Sequence, residues 1–135
     1  MRYLLDTNIV SNLVRSPQGR MADRLKAVGE KNICICTSII VAAELRYGTT
    51  KKASTRLTAQ IEAVLGVIDT LPFDSPADEI YGSIRTQLEL AGTPIGGNDL
   101  LIAAQALALD HTLVTDNHDE FSRVDGLRVE NWLRD

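Results

Sequence analysis

The sequence has no lysine after Lys52, no run of about eighteen apolar residues, only two cysteines, and few aromatics beyond Trp132. Each absence excludes something. Without a long apolar run no membrane-spanning helix is expected. In Met1-Arg2-Tyr3-Leu4-Leu5-Asp6 a carboxylate interrupts the apolar stretch at once, so no signal peptide is read and a cytoplasmic location is expected. Cys34 and Cys36 are two apart in an apolar run, point the same way on a strand, and would strain badly as a disulfide. They read as two buried thiols in a reducing compartment. One Trp, three Tyr and two Phe are too few for base stacking to be the main route to a nucleic acid. A receiver-type phosphorylation module needs paired acids after its first strand and a lysine in a late loop; the chain offers a single Asp6 and no late lysine.

The 135 residues, 44% of them apolar, suffice for one domain, 1-135, with its own core. The net charge of -4 is unpromising for binding phosphates, but it is unevenly spread. Residues 1 to 60 carry ten basic side chains against four acids, and the remainder carries four against fourteen. A polarised molecule of this kind places a polyanion against its basic half, with Arg15, Arg20, Arg46, Lys51 and Lys52 as the candidate surface.

Periodicity gives an alternation of strands and helices. Arg2 to Asp6 reads as a buried strand, and Asp6-Thr7-Asn8 offers caps for a helix over 8 to 15 that Ser16-Pro17 stops. A helix over 19 to 29, a strand over 33 to 36, and a helix from 39 to 48, capped by Thr37-Ser38 and ended by Gly48, follow. Helical spacing returns over 52 to 66, a strand is read within 67 to 73, and Pro76 opens another helix. The breaker-rich loop 91 to 97 leads to residues 100 to 109, apolar on every side and therefore buried, with Asn98 as the expected cap. Strands over 112 to 115 and 127 to 130 complete the pattern. The fold class is α/β: a three-layer α/β/α arrangement around a mostly parallel sheet, because parallel strands need helical crossovers.

In such sheets ligands bind beyond the carboxyl ends of the strands. Asp6 and the Thr115-Asp116-Asn117 turn lie there, and Asp99 stands at the mouth of the buried helix. Glu44 falls in the second turn of its helix beside Ile40, Val41, Tyr47 and Gly48, read as an inward face. Singly, each acid has an ordinary explanation: a cap for Asp6, an ion pair with Arg46 or Arg85 for Glu44, a helix-start acid for Asp99, a turn residue for Asp116. Jointly they would repel one another unless a cation held them. Oxygen donors without His or thiolate favour Mg²⁺ or Mn²⁺ over zinc. His111 and His118 are not expected to take part.

Leu5-Asp6-Thr7-Asn8, Ala43-Glu44-Leu45, Pro94-Ile95-Gly96 leading into Asp99-Leu-Leu-Ile-Ala-Ala, and Leu113-Val-Thr115 followed by Phe121 resemble the PIN domain, and within it the VapC toxins of toxin-antitoxin operons. The resemblance implies a Mg²⁺- or Mn²⁺-dependent endoribonuclease acting on structured RNA such as tRNA. Its products would carry a 5'-phosphate and a 3'-hydroxyl. It also implies a homodimer and a VapB-type antitoxin, through which alone operator DNA is reached. By position, Asp6, Glu44 and Asp99 match the first three acids of that family's site. The fourth usually falls two residues after the threonine, where this chain has Asn117. Asp116, one residue earlier, is the expected substitute with Asn117 as a neutral ligand or water-holder; Asp119 is the other choice. Thr7, Asn8 and Thr115 are expected either to orient ligands or to cap local backbone. The alternative reading is a catalytically impaired PIN-like scaffold that dimerises and binds a regulatory partner.

Overall fold

A computed structural model describes residues 2–29 and 34–134. The elements run β1 (Arg2–Leu5), α1 (Thr7–Arg15), α2 (Arg20–Gly29), β2 (Cys34–Ser38), α3 (Ile39–Lys52), α4 (Thr55–Val67), β3 (Asp69–Leu71), α5 (Ala77–Leu90), α6 (Gly97–Ala108), β4 (Thr112–Val114), α7 (His118–Phe121) and β5 (Val129–Glu130). All strand pairs are parallel, in the order β3-β2-β1-β4-β5. The chain therefore moves outward from β1 to β3 and returns to the other side of β1 with β4. Right-handed crossovers then put α1 to α4 on one face and α5 and α6 on the other. The crevice beyond β1 and β4 is the point where the winding reverses, the usual ligand position of an open parallel sheet.

The register fixes what meets there. Leu5 pairs with Thr37 on one side and Val114 on the other, so Asp6, Ser38 and Thr115 all leave the sheet at one edge. The Asp6 amide still donates to Val114 O at 2.9 Å, which holds the first residue past β1 in line with the sheet. Leu4, Leu5, Ile9, Val10, Ile102, Leu113 and Phe121 are fully buried around this edge.

Several local expectations give way to tertiary packing. Gly48 does not end α3; Leu45 and Thr49 are buried on either side of it, the Thr49 hydroxyl donates to Arg46 O at 3.1 Å, and the helix stops only at Ala53 in the left-handed region. Packing of this face outweighs the roughly 1 kcal/mol that a mid-helix glycine costs. Asn98 does not cap α6. The helix begins two residues early, with Gly96 as N-cap, so that Asn98 falls inside the first turn. Only Cys36 is buried; Cys34, at the start of β2 opposite Arg2, is exposed. Tyr47 is 66% exposed, so the face of α3 that carries Glu44 is not apolar throughout. The expected strand at 33 to 36 begins at Cys34 among the described residues and runs on to Ser38; Ile33 lies outside them.

One polar side chain ties the layers together. Gln105, 1% exposed on α6, donates to Leu71 O at 3.0 Å and Pro72 O at 2.9 Å and accepts from the Ser38 hydroxyl. That hydroxyl in turn accepts from the Ile40 amide and so caps α3. Gln105→Leu would take this donor from two carbonyls and leave the Ser38 hydroxyl proton without its acceptor. It is expected to lower stability by about 2–4 kcal/mol in a urea titration, whereas a loss below about 1 kcal/mol would mean that this network is dispensable.

Candidate active site

Asp6 is 3% exposed, and its position follows from its role as N-cap of α1. Its Oδ1 accepts from the Thr7 amide at 2.8 Å; its Oδ2 accepts from the Thr115 hydroxyl at 2.7 Å and from Asn8 Nδ2 at 3.3 Å. Burial is the largest influence on this carboxyl and raises its pKa. The Thr115 and Thr7 hydrogen bonds oppose the rise, and Glu44 and Glu120 add to it. Thr7 has a second task, its hydroxyl donating to Glu44 Oε1 at 2.7 Å. Glu44 is thus joined to Asp6 through a single residue, while both arginines available to it are engaged elsewhere, Arg46 with Glu62 and Arg85 with Glu89.

Asp99 occupies the first turn of α6, where the amide end of the helix favours an anion. Its carboxyl is nonetheless pushed up to about 7, first by burial, then by a hydrogen bond and charge repulsion from Glu120, then by Asp6 and Glu44. Asp6 and Asp99 therefore lie within electrostatic reach of Glu44 and Glu120 in one crevice. The ion pairs Arg46–Glu62, Arg85–Glu89, Arg128–Asp110 and Arg134–Asp116 leave all four out. The loop before α6 closes against them. A Cβ at Gly96 would stand 3.7 Å from Asp99 Oδ2, and the Gly96 amide donates to Glu120 Oε1 at 3.2 Å.

Glu120 was not among the residues singled out from the sequence. It comes from α7, a single helical turn with Asn117 at its N-cap position. Asn117 donates from its amide to the Thr115 hydroxyl at 3.0 Å and from Nδ2 to Glu120 Oε2, so it positions Glu120. A polar cap residue followed three positions later by Glu is a helix-start signature that the sequence does carry. The buried Phe121 next to it is the anchor. Asp116 turns the other way: its Oδ1 accepts from Asn131 Nδ2 and from Arg134 Nε, both at 3.1 Å, and these contacts hold its carboxyl below the usual range. Its backbone amide donates to Asn8 Oδ1 at 2.9 Å. Asp119 is exposed. His111 is buried and meets Leu109 O through Nδ1 at 2.8 Å, at the other end of β4.

The PIN domain family matches residues 3–127. The chain belongs to the PIN domain family. Its VapC branch supplies the near relatives. Ribonuclease VapC2 of Rickettsia felis is 39% identical over 98% of both chains, and the tRNA(fMet)-specific endonuclease VapC of Shigella flexneri is 35% identical over 98% of both. Among solved structures, VapBC2 of Rickettsia felis bound to a promoter DNA fragment superposes with a TM-score of 0.92 at 38% identity, covering 98% of this chain and 99% of that one. VapBC-1 of nontypeable Haemophilus influenzae superposes at 0.85 with 32% identity, covering 99% and 100%. The PIN fold is a nuclease fold, and this chain carries the ribonuclease type of it.

The chemistry of the donor set bears on what a PIN-type crevice can hold. Asp6, Glu44, Asp99 and Glu120 offer hard oxygen donors of like charge; burial first, and then their mutual repulsion, raises the Asp6 and Asp99 carboxyls, and none of the four is in an ion pair among the described residues. A divalent ion of the Mg²⁺ kind fits that set. Among the described residues no three such side chains are already drawn to ligand spacing, so an ion would have to pull them inward.

Proposed function

We propose that the chain is the toxin of a VapBC-type pair, a Mg²⁺-dependent endoribonuclease that cuts structured RNA of the tRNA class. The observation that carries this reading is the crevice itself, where four carboxylates from distant parts of the chain lie within electrostatic reach and none has a basic partner among the described residues. Asp6 and Asp99 would hold the ion, assisted by Glu44 and Glu120; Mn²⁺ would substitute for Mg²⁺. When bound, such an ion supplies an activated water and neutralises charge developing on the scissile phosphate. The residues of the chain do the rest. Thr115, Asn8 and the Thr7 amide hold Asp6 in one rotamer through three hydrogen bonds. Thr7 keeps Glu44 beside it, and Asn117 holds Glu120 against the Gly96 amide. Without the ion, Asp99 is pushed up to about 7 by burial and by its acidic neighbours, so binding the ion would displace its proton. Hydrolysis of this kind breaks the bond to the 3'-oxygen and leaves the phosphate on the 5' side of the product.

Protein partners fit the surface. Val67 and Leu90 are each 84% exposed, and Val67 borders a groove with Leu13, Ala22, Leu25 and Val64. Exposed apolar side chains of this size support contact with an antitoxin and with a second copy of the chain. The solved relatives are toxin-antitoxin complexes, some bound to DNA; operator DNA would be reached here through the antitoxin. No helix of the described residues is long and apolar enough to cross a membrane, and a cytoplasmic site of action follows from the RNA substrate. The impaired-scaffold reading gains little from Asn117, because Glu120 brings a fourth carboxylate to the crevice.

Purified chain incubated with bulk tRNA is expected to cleave it in Mg²⁺ and to stop in EDTA. Cleavage that persists in EDTA would remove the metal mechanism. A chain that cuts no RNA under either condition would leave the scaffold reading.

A further inference from the structure

A depression of about 380 Å³ lies where the ends of α1 and α3 meet the start of α4. It is lined by Arg15, Lys52 and Arg56, with Ser54, Leu57 and Gln60, and no acid. The three cations come from three helices, and none of them takes part in an ion pair or hydrogen bond among the described residues. Three other cations of the basic half are engaged: Arg46 holds Glu62, Lys51 lies over the Tyr47 ring and Arg24 over Trp132. Arg15 and Lys52 occupy last turns, where the helix dipole favours a cation. Arg56 does not. It sits in the first turn of α4, where the dipole disfavours it, and it shares the depression with two like charges. Folding alone gives no reason to converge three unpaired cations there; a polyanion does.

The location relates the depression to the acidic crevice. α1 is capped by Asp6 and α3 carries Glu44 in its second turn, and both run away from the sheet edge, because both follow parallel strands. At about 1.5 Å of rise per residue, Arg15 and Lys52 stand roughly 12–14 Å along their helices from the two acids. That is the reach of a few nucleotides at about 3.4 Å each along a duplex strand. The geometry points to this depression as a docking site for the sugar-phosphate backbone of the RNA substrate, a few nucleotides from the phosphate that is cut. The inference rests on the ribonuclease reading above and adds to it a place where the substrate is held. Phosphate contacts carry no sequence information, so the site sets affinity and register, not the choice of base.

The test reads binding, not cleavage. Anisotropy of labelled bulk tRNA is followed with the full chain in EDTA over a range of salt, with Asp99→Asn in every variant so that the RNA stays intact. Arg15→Gln/Lys52→Gln/Arg56→Gln is expected to weaken binding about tenfold or more near 0.1 M salt and to reduce the slope of log K against log salt by about 2. Removing the same number of charges at Lys26, Arg85 and Arg123 should change the slope far less, and thermal melts check that both variants fold. Equal weakening by the two triple variants, or none by the first, overturns the docking site. So does a pocket variant that binds RNA normally but fails to co-purify with its antitoxin, since the depression would then seat a protein. If the unsubstituted chain cuts no RNA while RNA binding still depends on the pocket, the ribonuclease reading falls and the docking site stands.

Discussion

Asp99→Asn is expected to lower RNA cleavage by about a thousandfold and, in the same molecule, to make the metal-free chain more stable at neutral pH. Both effects have one cause. Burial and three neighbouring carboxylates push Asp99 up to about 7, whereas an aspartate in an unfolded chain titrates near about 3.9. Between those values the folded chain holds a proton that the unfolded chain has released. The favourable contribution is therefore complete at acid pH and is lost as pH rises through this window, so metal-free stability should fall from about pH 4 to about pH 7 and level off above it. Asparagine cannot ionise and removes that slope. Half-exposure of the side chain screens the effect, leaving a gain of about 1–2 kcal/mol, or roughly 3–8 °C in melting temperature, near pH 7.5. Melts in EDTA across this pH range, set beside tRNA cleavage in Mg²⁺, measure both halves. A variant that loses activity but melts lower than the parent near pH 7.5, with its pH slope intact, would mean that like-charge repulsion is not what the crevice stores. Divalent ion should remove the parent's slope in the same way as the substitution, because it supplies the missing counter-charge.

How much of this was legible in the sequence depended on the length of the signal. The alternation of strands and helices, the parallel sheet and the burial of α6 follow from periodicity, and they place Asp6 and Thr115 at one edge without any side-chain detail. The end of α3 was not legible, because Gly48 is a local signal for stopping and the burial of Thr49 that overrides it is tertiary. Nor was the exposure of Cys34. Its strand lies beside β1, but its first residue stands at the opposite edge from the crevice, where the sheet is open. Gln105 looked like one polar residue in an apolar run; only the register of β2 and β3 shows that two carbonyls and the Ser38 hydroxyl await it. The single turn of α7 was too short for any period, so the choice of fourth acid was made by counting from Thr115, and counting along a loop does not reveal which side chain turns inward.

The structure replaces that count with a geometric contrast between Asp116 and Glu120. Asp116 accepts from Asn131 and Arg134 and faces the C-terminal tail; its carboxyl is already neutralised and held below its usual range. Glu120 faces Asp99, raises its pKa by hydrogen bond and charge, and is oriented by Asn117 and the Gly96 amide. Glu120→Gln is therefore expected to reduce tRNA cleavage about 10–100-fold in Mg²⁺ and to raise the Mg²⁺ concentration needed for half-maximal rate, the range seen when a group supporting a metal site is removed. Asp116→Ala should stay within about threefold of the parent and instead lower stability slightly, by about 0.5–1 kcal/mol, since only a surface tether to the tail is lost. Asn117→Ala separates position from charge: the carboxylate of Glu120 remains but its orienting donor is gone, so a fall smaller than that of Glu120→Gln is expected. Its Mg²⁺ requirement should move the same way. The reverse ranking, with Asp116→Ala inactive and Glu120→Gln fully active, would return the fourth position to the turn after β4 and make the Arg134 contact the feature that metal binding has to break.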